Sequence, residues 1–178
     1  MIIYYNKFID FFKRNNLYNE DIFDYLRSNS IMFDYRDDDN RNFFGCFWLV
    51  NNGYLNKISL VVPFLDNDIT VLINIHEYIH GIMLYEKLGK KYKPGIDIEI
   101  LPMLYEKLYV LENSNNELIQ FEDSLNQKIN DSNELKYKLG LMCSDKLLQM
   151  YYAGKNFKQL DRRAKILSKI NRMKFNDK

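Results

Sequence analysis

His76, Glu77 and His80 are the residues on which chemistry can be built. They stand in the run His76-Glu77-Tyr78-Ile79-His80, which holds both of the chain's two histidines. A spacing of four is about one turn of an α-helix, so both imidazoles leave the same face. From there both can reach one ion at about 2.0–2.1 Å, the bond length of nitrogen to zinc. Glu77 follows the first imidazole around the helix and points beside the ion rather than at it. It can then take a proton from a water that zinc makes acidic near neutral pH. The bland alternative is a pair of core histidines satisfied by hydrogen bonds, with Glu77 in solvent. The flanks speak against it. Ile69, Leu72, Ile73, Ile75, Ile79, Ile82 and Met83 predict a mostly buried helix, where two imidazoles and a carboxylate are costly unless something compensates them.

Catalytic zinc usually takes three protein ligands and a water. No later histidine exists, so the third ligand is expected to be a carboxylate, with Glu86, Glu99 and Glu106 as candidates. Glu86 stands where a metzincin has its third histidine. That arrangement needs a Gly three residues after the second His to turn the chain back. Met83 takes that place and the helix reads as continuing, which carries Glu86 away. Glu99 and Glu106 fall on the next predicted helix, about two turns apart, so both can face the first helix. One can ligate while the other hydrogen-bonds a ligand histidine.

The histidine motif followed by Glu99-Ile-Leu-Pro102-Met-Leu-Tyr-Glu106 resembles the gluzincins, above all the oligoendopeptidase F and thimet oligopeptidase family. That family follows its histidines with Glu-x-Pro-Ser-Gln-x-x-Glu, where the first Glu binds zinc. The resemblance implies Glu99 as third ligand and Glu106 as a second-layer residue or alternative ligand. It also implies a zincin-like fold and hydrolysis of peptide bonds. Pro102 lies one place later than the family's Pro, the Ser-Gln pair is missing, and the interval from His80 to Glu99 is short. Tyr137-Lys-Leu-Gly140-Leu resembles the family's tyrosine-bearing helix, which implies Tyr137 as donor to the oxyanion of the tetrahedral intermediate. Tyr151 and Tyr152 compete for that role, and the family's histidine upstream of the tyrosine has no counterpart. The resemblance covers roughly residues 69 to 153. Family members are several times longer and enclose the site with a helical lobe, so here a more open cleft, or one completed by a partner, is expected.

The elements that position these residues follow from periodicity and punctuation. Residues 3–15 place Ile3, Phe8, Phe11 and Phe12 on one side of a helix. Asn19 reads as N-cap of a helix over 20–28, with Ile22, Phe23 and Leu26 inward. The runs IMFDYR, FFGCFWLV and YLNKISLVV read as strands, and Asn52-Gly53 as a tight hairpin turn. Together, 31–62 predict a three-stranded antiparallel sheet. Residues Phe43 to Val50 are the candidate edge strand for pairing with a peptide, with Gly45 permitting close approach or marking a bulge. Trp48 is read as a core residue. Asp66 to Asp68 offer N-caps for the active-site helix over 68–88, with Gly89 beyond its end. Helices follow over 97–112, over 115–130 with Ser114 and Glu117 as a capping box, over 133–152 and over 156–174. The class is α+β, predominantly helical, as a single zincin-like domain over 1–178.

Composition narrows the classes. Hydrophobic residues make up 47% of the chain, enough to bury a core. Against 25 Lys and Arg stand 24 Asp and Glu, a near-cancellation that disfavours nucleic acid as partner. Lys155, Lys158, Arg162, Arg163, Lys165, Lys169, Arg172 and Lys174 form a basic tail, read as a solvated helix face. Cys46 and Cys143 read as reduced, buried thiols. No stretch has the roughly 20 apolar residues of a membrane span or the form of a signal peptide. The expectation is a cytoplasmic zinc metallopeptidase acting on a peptide or protein. The rivals are a catalytically weak binding or regulatory protein on the same scaffold, and a metal-free helical interaction module.

Overall fold

The computed structural model of the chain describes residues 2–34, 45–93, 95, 97–113, 115–131 and 134–176. Its contacts separate into two compact units, Met1–Lys93 and Pro94–Lys178.

In the first unit, α1 (Ile2–Arg14) and α2 (Glu20–Ser28) lead into β1 (Ser30–Phe33), β2 (Gly45–Asn51), β3 (Tyr54–Pro63) and α3 (Asp68–Tyr85). Phe8, Phe11 and Phe12 are buried as their spacing predicts, but Ile3 is 70% exposed, because the first turn of α1 reaches past the core. Asn19 caps α2, its side chain accepting from Ile22 N at 3.1 Å. Phe23 and Leu26 are buried, with Ile22 half-buried. Phe8, Phe12, Phe23 and Tyr78 meet mostly edge-on or tilted, as near as 4.9 Å between the Phe8 and Tyr78 ring centres. Such aromatic pairs join the first two helices to α3 by burial and quadrupole attraction together.

The sheet is mixed, not wholly antiparallel as expected. Its order is β1-β3-β2, with β2 antiparallel and β1 parallel to β3. Asn52 and Gly53 make the predicted two-residue hairpin, both at positive φ (52° and 80°), so β2 and β3 pair as neighbours. Eleven residues separate Phe33 from Gly45, so nothing forces β1 beside β2, and strand composition alone does not specify an edge. β3 takes the centre because its side chains supply the core: Leu55, Ile58, Leu60 and Val62 are buried. The odd step from Leu55 to Ile58 is absorbed by a bulge. Val50 pairs with Leu55 and Leu49 with Lys57, which leaves Asn56 as the extra residue. Gly45 is paired with Val61, and the bulge lies elsewhere. Trp48 is not a core residue. It lies on edge strand β2, 36% exposed, edge-on to Tyr92. Phe43 and Phe44 of the proposed edge strand lie outside the described residues.

Burial surrounds α3 almost completely, including Val71 to Ile75 and Glu77 to Leu84. Gly81 admits Leu26: a Cβ there would stand 2.7 Å from Leu26 Cδ2. Of the predicted caps, Asn67 is the one used. Its side chain accepts from Thr70 N at 2.8 Å while the Thr70 hydroxyl returns to the Asn67 backbone, a capping box. Asn74, buried in the helix, donates to Pro63 O at 2.9 Å and to Thr70 O at 2.8 Å. Beyond the helix, Gly89 N reaches Leu55 O at 2.8 Å and Leu55 N reaches Lys90 O at 3.0 Å, Gly89 standing at φ 71°.

The second unit is helical: α4 (Ile100–Asn113), α5 (Asn116–Asp131), α6 (Leu135–Tyr152) and α7 (Phe157–Asn176). α4 packs on α6 and α7, and α6 on α7. Their core includes Leu104, Tyr105, Leu108, Leu139, Cys143, Leu147, Leu160 and Ala164. Asp97 to Glu99 form a turn rather than the predicted first turn of α4. Pro102 then sits in the helix's first turn, where its missing N–H costs little. Ser114 lies outside the described residues. The cap observed on α5 is Asn115, accepting from Leu118 N at 2.8 Å. Asn156 and Gln159 cap α7 reciprocally, at 3.1 and 3.0 Å. On α7, Lys158, Arg162, Arg163 and Lys169 are exposed, with Lys155 just before it. Cys143 is buried, Cys46 only half-buried, and neither is in a disulfide. No helix among the described residues is long and apolar enough to cross a membrane.

The cap on α3 gives a direct check. Asn67→Ala removes the acceptor for Thr70 N and should cost about 1 kcal/mol of stability, read from urea denaturation. An unchanged midpoint would show that the cap does not hold the start of α3.

Candidate metal centre

An α-helix turns about 100° per residue. Tyr78 therefore lies opposite the face shared by His76 and His80, and Glu77 lies to one side of that face. Each direction meets a different environment. Tyr78 packs into the Phe8, Phe12 and Phe23 cluster, where burial pushes its phenol up to about 12. It stays neutral and serves packing. The histidine face holds two rings with centres 4.8 Å apart. Their Nε2 atoms stand 3.1 Å from each other. Two nitrogens bound tetrahedrally to one ion at about 2.0–2.1 Å would stand about 3.3 Å apart, so the observed separation is within a few tenths of an ångström of that. His80 is 6% exposed and Glu77 5%, with His76 half-buried.

Glu99 closes the Asp97–Glu99 turn, buried, with Met103 N on its carbonyl at 3.2 Å. One nitrogen of each histidine and one carboxylate oxygen of Glu99 lie within 4.8 Å of one another, a group that could hold a metal ion. Two imidazoles and a carboxylate are a donor set for a divalent transition-metal ion. Among the described residues the group takes in neither Glu86 nor Glu106. Glu86 caps the end of α3, its carbonyl accepting from Lys90 Nζ at 2.7 Å. Glu106 is half-buried on α4. Glu99 stands immediately before α4 rather than on it, its carbonyl accepting the first helical bond from Met103 N, and the donor group takes in Glu99 without Glu106.

Around Glu99 the second unit supplies two features. The first is Gly140 on α6. A Cβ at that position would run into Met103 Sδ and come 3.2 Å from the Glu99 carbonyl oxygen and 3.4 Å from its Cβ. The absent side chain is what lets α6 approach the turn. The second is Lys136, whose Nζ lies 3.6 Å from Glu99 Oε1, 3.7 Å from Glu134 Oε2 and 4.5 Å above the Tyr137 ring. Burial pulls the Lys136 ammonium down, but Glu99, Tyr137 and Glu134 outweigh it, and its pKa rises. Tyr137 itself is half-buried beneath that ammonium. Tyr151 stacks edge-on against Tyr105 and Tyr152, the latter 66% exposed. Lys136 was not singled out by sequence. It adjoins Tyr137 in the quoted run, but one lysine among many carries no signal until its carboxylate partner is known.

No protein-family model, no curated protein and no solved structure matches the chain.

Gly140→Ala tests the approach of α6 to Glu99. Overpacking against Met103 and the Glu99 backbone should outweigh the gain in helix propensity of up to ~1 kcal/mol and lower stability by about 1–2 kcal/mol. A variant more stable than the parent in thermal denaturation would show that the turn has room to move.

Proposed function

We propose that the protein is a zinc-dependent peptidase in which His76, His80 and Glu99 hold the ion and Glu77 is the general base. The observation that carries this reading is the pair of Nε2 atoms 3.1 Å apart on a helix buried nearly all round. The resemblance of the motif to the gluzincins assigns the same residues to the same roles, and it remains a resemblance of short motifs.

Zinc, when bound, supplies Lewis-acid chemistry: it polarises a carbonyl and makes water acidic near neutral pH. The chain's own groups do the rest. Glu77, beside the histidine face and shielded from bulk solvent, accepts the proton of the attacking water on a carboxylate oxygen. It then delivers that proton to the nitrogen of the departing amine as the C–N bond breaks. His76 and His80, one turn apart on a packed helix, are held without needing to order on binding, which reduces the entropic cost of assembling the site. Tyr137 is assigned to the oxyanion on the resemblance alone.

Three measurements separate this reading from its rivals. Purified without chelators, the protein should carry about one zinc per chain, and His80→Ala should lose it. Glu77→Gln should keep the zinc and lower peptide hydrolysis by about 10²–10⁴-fold. Unchanged turnover in Glu77→Gln overturns the mechanism. Stoichiometric zinc with no cleavage across a broad peptide library points instead to a binding protein, and absence of zinc points to a metal-free module.

A further inference from the structure

Lys136 is the charged neighbour of Glu99 that the proposed chemistry leaves without a task. Its side chain is 40% exposed, against 6% for that of Glu99. The ammonium is held from three directions, by Glu99 at 3.6 Å, by Glu134 at 3.7 Å and by the face of Tyr137 at 4.5 Å.

We propose that Lys136 sets how tightly the site holds its divalent cation, because its ammonium and the ion compete for the Glu99 carboxylate. This rests on Glu99 being a zinc ligand. A carboxylate shared between an ammonium and a divalent ion brings two cations close together, where one of them is buried and solvent screens poorly. Removing the ammonium removes that repulsion. It also takes away the counter-charge that stabilises Glu99 in the ion-free protein, which raises the free energy of the ion-free state. Both effects tighten the site. The opposing effect is loss of order at Glu99, and it is small. The side chain is buried and its backbone is confined by the approach of α6 at Gly140, so packing already orders it. Lys136 is thus a positioning residue whose charge lowers the affinity of the metal site.

The test is zinc affinity of the full chain, measured by competition with a chelator at fixed pH and ionic strength. Lys136→Met and Lys136→Gln should each bind zinc about tenfold more tightly or better. Lys136→Arg keeps the charge and should stay within about threefold of the parent. Far-UV circular dichroism confirms that each variant folds, and two neutral replacements guard against one failing to do so. Equal or weaker zinc binding in the neutral variants, with stoichiometric zinc in the parent, overturns the role of Lys136 alone. An Arg variant that behaves like the neutral ones also overturns it, because charge would then not be the cause. Zinc binding by none of the four proteins overturns the zinc reading itself.

Discussion

A helix buried on nearly every side carries two imidazoles and a carboxylate, and the rest of the first unit answers to that constraint. Polar groups withdrawn from water cost several kcal/mol each unless they find partners. Chains therefore keep such helices apolar where nothing else is required. Here α3 obeys that rule at Val71, Leu72, Ile73, Ile75, Ile79 and Leu84, and departs from it at Thr70 and Asn74, which bond to backbone carbonyls, and at His76, Glu77 and His80. The two imidazoles share one face, with Glu77 beside it. The opposite side is given to the phenol of Tyr78 and its aromatic neighbours, which hold the helix by packing. A rotation of α3 about its axis would withdraw Tyr78 from those rings and turn the imidazoles toward apolar neighbours. The orientation of the histidines is thus over-determined by residues that take no part in any chemistry.

Charge in the second unit follows the same economy. Glu99 is buried, and the Lys136 ammonium stands 3.6 Å from its Oε1, a distance that gives attraction without a short hydrogen bond. That lysine is kept in place by a second carboxylate and an aromatic face. Gly140 contributes by what it lacks, since any side chain there would contend with the backbone of Glu99.

Much of this was legible in the sequence, and what was not has identifiable causes. The Asn52-Gly53 hairpin, the Asn19 cap and the start of α3 at Asp68 depend on neighbours within a few residues, and those are the interactions a local reading captures; the helix ends at Tyr85, three residues short of the expected 88. The histidine motif is legible for the same reason: one helical turn brings both rings together. The pairing of β1 with β3 was not legible, because it depends on which strand buries more of its side chains. Trp48 reads as a core residue in the sequence, but β2 is an edge strand and the ring remains partly in solvent against Tyr92. Glu99 was reached through a resemblance rather than through phase. Periodicity alone leaves Glu99 and Glu106 as equals, and only the distances between donor atoms separate them. Lys136 carries no local signal, since its meaning comes from a carboxylate 37 positions earlier in the chain.

The ties between β3 and α3 have a consequence for how the first unit opens. The strand and helix are joined near both ends, at Pro63 through the side chain of Asn74 and at Leu55 through Gly89 and Lys90. Neither can lift away while the other stays, and fraying from one end meets a second fastening before it reaches His76. The strand that bridges β1 and β2 is thereby also the strand to which the histidine helix is fastened, so strand and helix open as one unit.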